Sequence, residues 1–268
     1  MLFKEIFPSG NSSVTSFCAT PRVKMSDSSP TYSFDTMHQD MIHDAQVDYY
    51  GNHLATCSSD RTIKIWKLED ESKTPSEIAV IKGHEGPVWQ VAWLHPRFGA
   101  HGLQILASCG FDGKVCLWQQ KPTGQWEILQ QYRHSASVNS VSAAPHDLGC
   151  HILSASADGT ISMASYDEHK NDFSIETKEG AHQIGVNAVS WAPSLLPGDL
   201  ASSSPPTSFQ RRFVSAGCDN LVKVWTVEGP SSLQWMPRIL EGEACVAKHN
   251  DWVRDVAWAP AAGLLVSL

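Results

Sequence analysis

The chain carries histidine, serine and aspartate in sets that have the chemistry of base, nucleophile and orienting acid for acyl transfer, His84 with Ser108 and Asp112 being one of them. Repetition denies that reading. The same types return as His134, Ser154, Asp158 and as His182, Ser215, Asp219, and with threonine for serine as His38, Thr56, Asp60. A catalytic site needs one constellation; a fold made of copies needs it in every copy. A buried aspartate is costly unless hydrogen-bonded, so a histidine and a hydroxyl placed to serve it read as structural partners. No catalytic residue is assigned. No Gly-rich phosphate loop and no metal-type spacing of His and Cys occurs, so no cofactor, metal or small-molecule ligand is expected.

The seven cysteines, at 18, 57, 109, 116, 150, 218 and 245, form no C-x-x-C pair, and an odd number without a framework reads as reduced thiols of a cytosolic or nuclear protein. Cys57 and Cys109 stand in the apolar-small runs "ATCSSD" and "ASCGFD", which suits small buried hydrophobes better than nucleophiles. With 20 basic against 28 acidic residues and a net charge of -8, direct nucleic-acid binding is not expected, since phosphate contacts need clustered Lys and Arg. No apolar run reaches the roughly 18 residues that span a bilayer, and "MLFKEIFPSG" lacks a signal-peptide core.

The elements that hold the polar sets emerge on aligning the chain at His38, His84, His134, His182 and His249. Four residues on stand Ile42, Val88, Val138, Val186 and Val253; seven on, Ala45, Val91, Val141, Val189 and Val256; nine on, Val47, Trp93, Ala143, Trp191 and Trp258. Pro96, Pro145, Pro193 and Pro260 follow within three residues in four copies and end a strand, because proline lacks the ladder donor. Each of Asp60, Asp112, Asp158 and Asp219 is followed at three and five residues by an apolar pair, as in Ile63 with Ile65, and at six by Trp66, Trp118, Ala164 or Trp225. Alternation after a turn predicts a strand. Each unit is therefore a four-stranded antiparallel blade, and the fold class is all-β: four complete blades and the start of a fifth.

The anchor spacings of 46, 50, 48 and 67 residues lie close to the roughly 40 to 45 of a WD-repeat propeller. The chain resembles that family over residues 38 to 268, and the resemblance implies that His, Ser or Thr, Asp and Trp hydrogen-bond in sequence within a blade. The sets are His38, Thr56, Asp60, Trp66; His84, Ser108, Asp112, Trp118; and His182, Ser215, Asp219, Trp225. The third, His134, Ser154, Asp158, has Ala164 in place of tryptophan and is expected to belong to a less rigid blade.

The residues between the anchors narrow the family. "DMIHDAQVDYYGNHLATCSSDRTIKIW", "GHEGPVWQVAWLHPRFG", "SVNSVSAAPHDLG", "AHQIGVNAVSWAPSLLPG", "RRFVSAGCDNLVKVW" and "HNDWVRDVAWAP" are similar to the small propeller subunits of the outer COPII vesicle coat, a family shared with the Y-shaped scaffold of the nuclear pore. That resemblance implies a scaffold rather than an enzyme, with a six-bladed, open ring that accepts a blade from an α-solenoid coat or pore subunit. It also implies residence at the cytoplasmic face of the endoplasmic reticulum, on COPII vesicles and at the nuclear pore, peripheral to the membrane through the coat. An open ring exposes strand edges that another strand satisfies, and the partner edge is expected at Met41, Ile42, His43, Asp44, Ala45, Gln46 and Val47. The sister pore-scaffold propeller shares only the "IHD…ATCSSD" opening closely. A ubiquitin-ligase substrate receptor is a further alternative, but its Trp-Asp-x-Arg motif is missing, since Trp66, Trp118 and Trp225 precede Lys67, Gln119 and Thr226.

Residues 1–37 read as a largely disordered N-terminal extension, with Met25 a more natural start. Residues 38–268 read as the propeller, in units of about 38–80, 84–130, 134–178, 182–245 and an incomplete 249–268, with a flexible Ser- and Pro-rich insertion at 194–212. The end at "AAGLLVSL", where a second strand of the fifth unit begins, is expected to mark a C-terminally truncated form lacking on the order of 70 residues.

Overall fold

The computed structural model describes residues 34–68, 74–99, 102–167, 172–194, 211–228, 234–237, 247–259 and 265–267. The blades all lie in one compact unit, Thr36–Leu268. The first blade is β1 (Ile42–Val47), β2 (His53–Ser58), β3 (Thr62–Lys67) and β4 (Ser76–Lys82), hydrogen-bonded in that order. The second is β5 (Val88–Trp93), β6 (Ile105–Gly110), β7 (Lys114–Gln120) and β8 (Trp126–Arg133); the third is β9 (Val138–Ala143), β10 (His151–Ser156), β11 (Ile161–Asp167) and β12 (Asp172–Lys178). The fourth is β13 (Val186–Trp191), β14 (Arg211–Gly217), β15 (Leu221–Glu228) and β16 (Gln234–Pro237), with β17 (Ala247–Lys248) also paired to β15. Then β18 (Val256–Trp258) pairs antiparallel with β19 (Leu265–Ser267). All pairings are antiparallel, as the blade reading of the sequence requires.

A bulge explains the four, seven, nine spacing. Strict alternation separates same-face residues by two, yet the first interval here is three. In each of the four first-to-second strand pairs the register shifts just after the anchor's fourth residue: Ile42/Asp44, Val88/Gln90, Val138 to Ser140 and Val186/Ala188. One extra residue per pair restores Ile42, Ala45 and Val47, and their equivalents, to a single face.

The turn before each third strand is built by the aspartate. Its Oδ1 accepts the amide two residues on: Thr62 at 2.9 Å, Lys114 at 3.1 Å, Thr160 at 3.0 Å and Leu221 at 3.2 Å. The residue between adopts positive φ in every blade, at Arg61 (71°), Gly113 (76°), Gly159 (85°) and Asn220 (68°). Glycine and asparagine suit that conformation, whereas Arg61 accepts a steric cost.

Blades stack face to face, and the core lies between them. Ala55, Cys57, Ile63, Ile65 and Ile81 of the first blade meet Val88, Val91, Leu106 and Trp118 of the second. Ala107, Cys109, Val115 and Leu117 meet Val138, Val141 and Ile152. Leu153, Ala155, Ile161 and Met163 meet Val186, Val189, Phe213 and Trp225. Val214, Ala216, Val222 and Val224 meet Val253 and Val256.

Two sequence boundaries are corrected. Arg211 and Arg212, assigned to the insertion, open β14, because they pair with Val227 and Thr226 of β15; positions 195–210 lie outside the described residues. The fifth unit's first strand, aligned from Val253 to Trp258, is strand only over Val256–Trp258. Positions 1–33 of the N-terminal extension lie outside the described residues.

Candidate functional site

In the first, second and fourth blades the polar set forms one chain of hydrogen bonds. His38 Nδ1 lies 2.8 Å from Asp60 and Nε2 2.9 Å from Thr56, whose hydroxyl accepts the Trp66 indole N–H at 3.1 Å. His84 lies 3.1 Å from Asp112 and 2.8 Å from Ser108, which accepts from Trp118 at 2.8 Å. His182 lies 2.7 Å from both Asp219 and Ser215, and Trp225 donates to Ser215 at 2.8 Å. A carboxylate only accepts, so the proton sits on Nδ1 and the hydroxyl donates to Nε2. The aspartate's Oδ2, the oxygen not used by the turn, accepts the amide after the histidine: Gln39 at 3.0 Å, Glu85 at 2.8 Å and Gln183 at 3.1 Å. Aspartate thus ties the turn to the loop that enters the blade.

The third blade departs from this scheme. His134 Nδ1 lies 2.9 Å from the Thr160 hydroxyl rather than from Asp158; Thr160 in turn donates to Asp158 at 2.6 Å, and Ser135 supplies that carboxylate's other partners. Where Ala164 leaves no indole, the Tyr132 hydroxyl donates to Ser154 at 3.1 Å. The vacancy inferred from Ala164 is therefore filled from the outer strand β8 of the preceding blade. Tyr132, Thr160 and Ser135 were missed because they stand outside the aligned positions.

Burial opposes ionisation of each aspartate, but the hydrogen bonds outweigh it. Asp112 is held at about 2 by His84 and the Glu85 and Lys114 amides. Asp60, Asp158 and Asp219 are likewise held below the usual carboxylate range by their partners. Burial pushes His134 and His182 down, in the latter against the pull of Asp219. The hydroxyls themselves are sealed: Ser108, Ser154 and Ser215 are 0% exposed and Thr56 2%. A substrate carbonyl has no approach to them. Burial also pushes the thiols of Cys57 and Cys109 far up, and those of Cys116 and Cys150 to about 12, so none is a nucleophile at neutral pH. Cys18 and Cys245 lie outside the described residues.

The surface that stands out is the first blade's outer face. Val88, Val138, Val186 and Val253 are each 0% exposed, and Val91, Val141, Val189 and Val256 at most 5%. Their first-blade equivalents differ: Ile42 is 41% exposed and Ala45 is exposed too, and Val47 beyond them is 51% exposed. The segment Met41 to Val47 is therefore split by its pleat. Ile42, Ala45 and Val47 face outward, while Asp44 and Gln46 turn to the second blade, where the Asp44 carboxylate accepts the Val91 amide at 3.3 Å and the Gln46 carbonyl accepts the Trp93 indole at 2.9 Å. His43 packs edge-on to Trp89 at 4.5 Å and bonds Ser59 at 2.6 Å. Met41 is 67% exposed beside the blade entry.

Rungs between first strands were not read from the sequence. Gln90 accepts the Val141 amide at 2.8 Å, Ser140 the Val189 amide at 3.2 Å and Ser190 the Trp258 amide at 3.1 Å. The available signal was the polar residue six after the anchor, Asp44, Gln90, Ser140 and Asp255, broken only by Ala188.

Among the described residues no group of three or more His, Cys, Asp or Glu is placed to hold a metal ion, and no helix is long and apolar enough to cross a membrane. The family model described as "WD domain, G-beta repeat" matches residues 28–67, 75–119 and 126–163. The chain is 44% identical over 266 residues to the protein transport protein SEC13 of Cryptococcus neoformans, covering 92% of this chain and 74% of that protein. It is 45% identical to the protein transport protein sec13 of Emericella nidulans, covering 84% and 71% respectively. With the SEC13 homolog of Drosophila melanogaster it shares 44% identity over 86% of this chain and 61% of that protein.

Proposed function

The chain belongs to the SEC13 family of WD-repeat transport proteins, and from that premise we propose that it is a non-enzymatic scaffold of the outer COPII coat in ER-to-Golgi vesicle transport and of the nuclear pore Y-complex. It binds an α-solenoid subunit, which lays a blade against the outer face of the first blade. The protein works at the cytoplasmic face of the endoplasmic reticulum, on the vesicles budding there and at the pore, and reaches the membrane only through the coat.

The observation that carries this reading is the exposure of Ile42 and Ala45 where the equivalent valines of the other blades are sealed, with the exposed Val47 beside them. Covering Ile42 and Val47 contributes on the order of 1 to 2 kcal/mol each, and a strand laid there is held as each blade is held by its neighbour. The sealed hydroxyls and raised thiols support a scaffold with no chemistry of its own. The test is a pull-down and calorimetric titration of the chain with the coat and pore solenoid subunits. Val47→Asp should weaken binding at least tenfold with the melting temperature unchanged; unaltered affinity rejects the face.

A further inference from the structure

Successive units are joined by two kinds of polar contact, which meet as an adjacent donor and acceptor at Asn139 and Ser140. The residue six after each anchor accepts the amide seven after the next: Asp44 from Val91, Gln90 from Val141 and Ser140 from Val189. One residue earlier, Asn139 and Asn187 donate to the carbonyls of Val186 and Val253 at 3.0 and 2.8 Å. The innermost strand of a blade has no further strand on its channel side, so these side chains serve main-chain groups that the sheet leaves unpaired.

The exception shows what happens when the acceptor is lacking. At the fourth blade that position is Ala188, and the Val256 amide turns instead to its own neighbour's carboxylate, Asp255, at 2.8 Å. The Ala45 amide does the same with Asp44, at 2.8 Å. Ala45 is thus satisfied in the manner of a strand whose preceding neighbour offers no acceptor.

We infer that the partner strand seated beside β1 carries two adjacent polar side chains, a donor placed for the Ile42 carbonyl followed by an acceptor placed for the Ala45 amide, flanked by apolar residues covering Ile42 and Val47. This rests on the blade-donation reading and adds the partner's chemistry: an Asn-like residue followed by Ser, Gln or Asp.

The experiment uses the full chain and the α-solenoid coat subunit with its blade-forming segment. Cysteine placed at Val47 and scanned through the segment locates, by disulfide cross-linking, the partner residue beside Ala45. That residue should be a hydrogen-bond acceptor. Its replacement by alanine should raise Kd about 3- to 10-fold, and hydrogen exchange of the Ala45 amide, slowed in the parent complex, should return toward the free rate. A glutamine or serine in its place should restore both. An apolar residue at that position, or an alanine variant within twofold of the parent with Ala45 still protected, overturns the inference while leaving blade donation standing. No binding, or cross-links on another blade, overturns blade donation and the inference together.

Discussion

Replacing Ser108 with alanine tests the claim that the polar sets are structural. The hydroxyl is 0% exposed, accepts the Trp118 indole at 2.8 Å and lies 2.8 Å from His84 Nε2. Its removal leaves a buried N–H donor and a buried imidazole acceptor without partners in a space closed to water. Each orphaned group costs about 1 to 3 kcal/mol, so Ser108→Ala should destabilise by roughly 2 to 5 kcal/mol. Trp118→Phe removes the donor before the serine is lost. In the double variant Ser108→Ala then leaves only His84 unsatisfied, and its cost should fall by about 1 to 2 kcal/mol. Urea titrations of parent, both single variants and the double variant, followed by circular dichroism at constant slope, complete the cycle. Additivity within about 0.5 kcal/mol refutes the shared hydrogen-bond chain, as does a Ser108→Ala cost below that figure.

Three further outcomes follow from the same contacts. Asp112→Ala should cost about 1 to 3 kcal/mol, because His84 and the Glu85 and Lys114 amides lose their acceptor; a melting curve like the parent's contradicts this. His151 is pushed down to about 4 by burial, then by the nearby Arg211. The unfolded chain, with this imidazole at its ordinary value, therefore binds the proton first: stability is full above about pH 6.5 and declines as pH falls toward 4, by roughly 3 kcal/mol at most. His151→Gln should flatten that limb in urea titrations taken at intervals from pH 7.5 to 4.5. Cys57, Cys109, Cys116 and Cys150 are buried and should resist a maleimide in the folded chain, peptide mapping finding them labelled only after denaturation; labelling of Cys109 in the native state contradicts its burial.

Blade count, strand order and the polar anchors were legible because each is written several times. A single His-Ser-Asp set looks like a triad; repeated sets around an apolar spacing of four, seven and nine look like a scaffold, and the odd interval encodes a bulge. The third blade was misread where the repeat is broken. Ala164 gave no hint that Tyr132, on the preceding blade, supplies the missing donor, because an inter-blade contact has no fixed spacing along the chain. The segment expected as a partner edge was read as one surface, although pleating gives Ile42, Ala45 and Val47 to one face and Asp44 and Gln46 to the other.

Two hydrogen-bond systems with different dependencies explain how one blade face stays open in a folded chain. The His, hydroxyl, Asp and Trp set of the first blade closes within that blade: Trp66 is 4% and Thr56 2% exposed even though Ile42 and Val47 beside them are not covered. The rungs from Asp44, Gln90 and Ser140 instead need a neighbour, and each accepts an amide of the blade that follows. Integrity of the first blade is therefore local and continuity between blades is pairwise, as in other repeat architectures where stability divides into a unit term and an interface term. An unpartnered face loses only the interface term, so the first blade holds its shape with Ile42, Ala45 and Val47 exposed, which is the condition that the proposed blade donation requires.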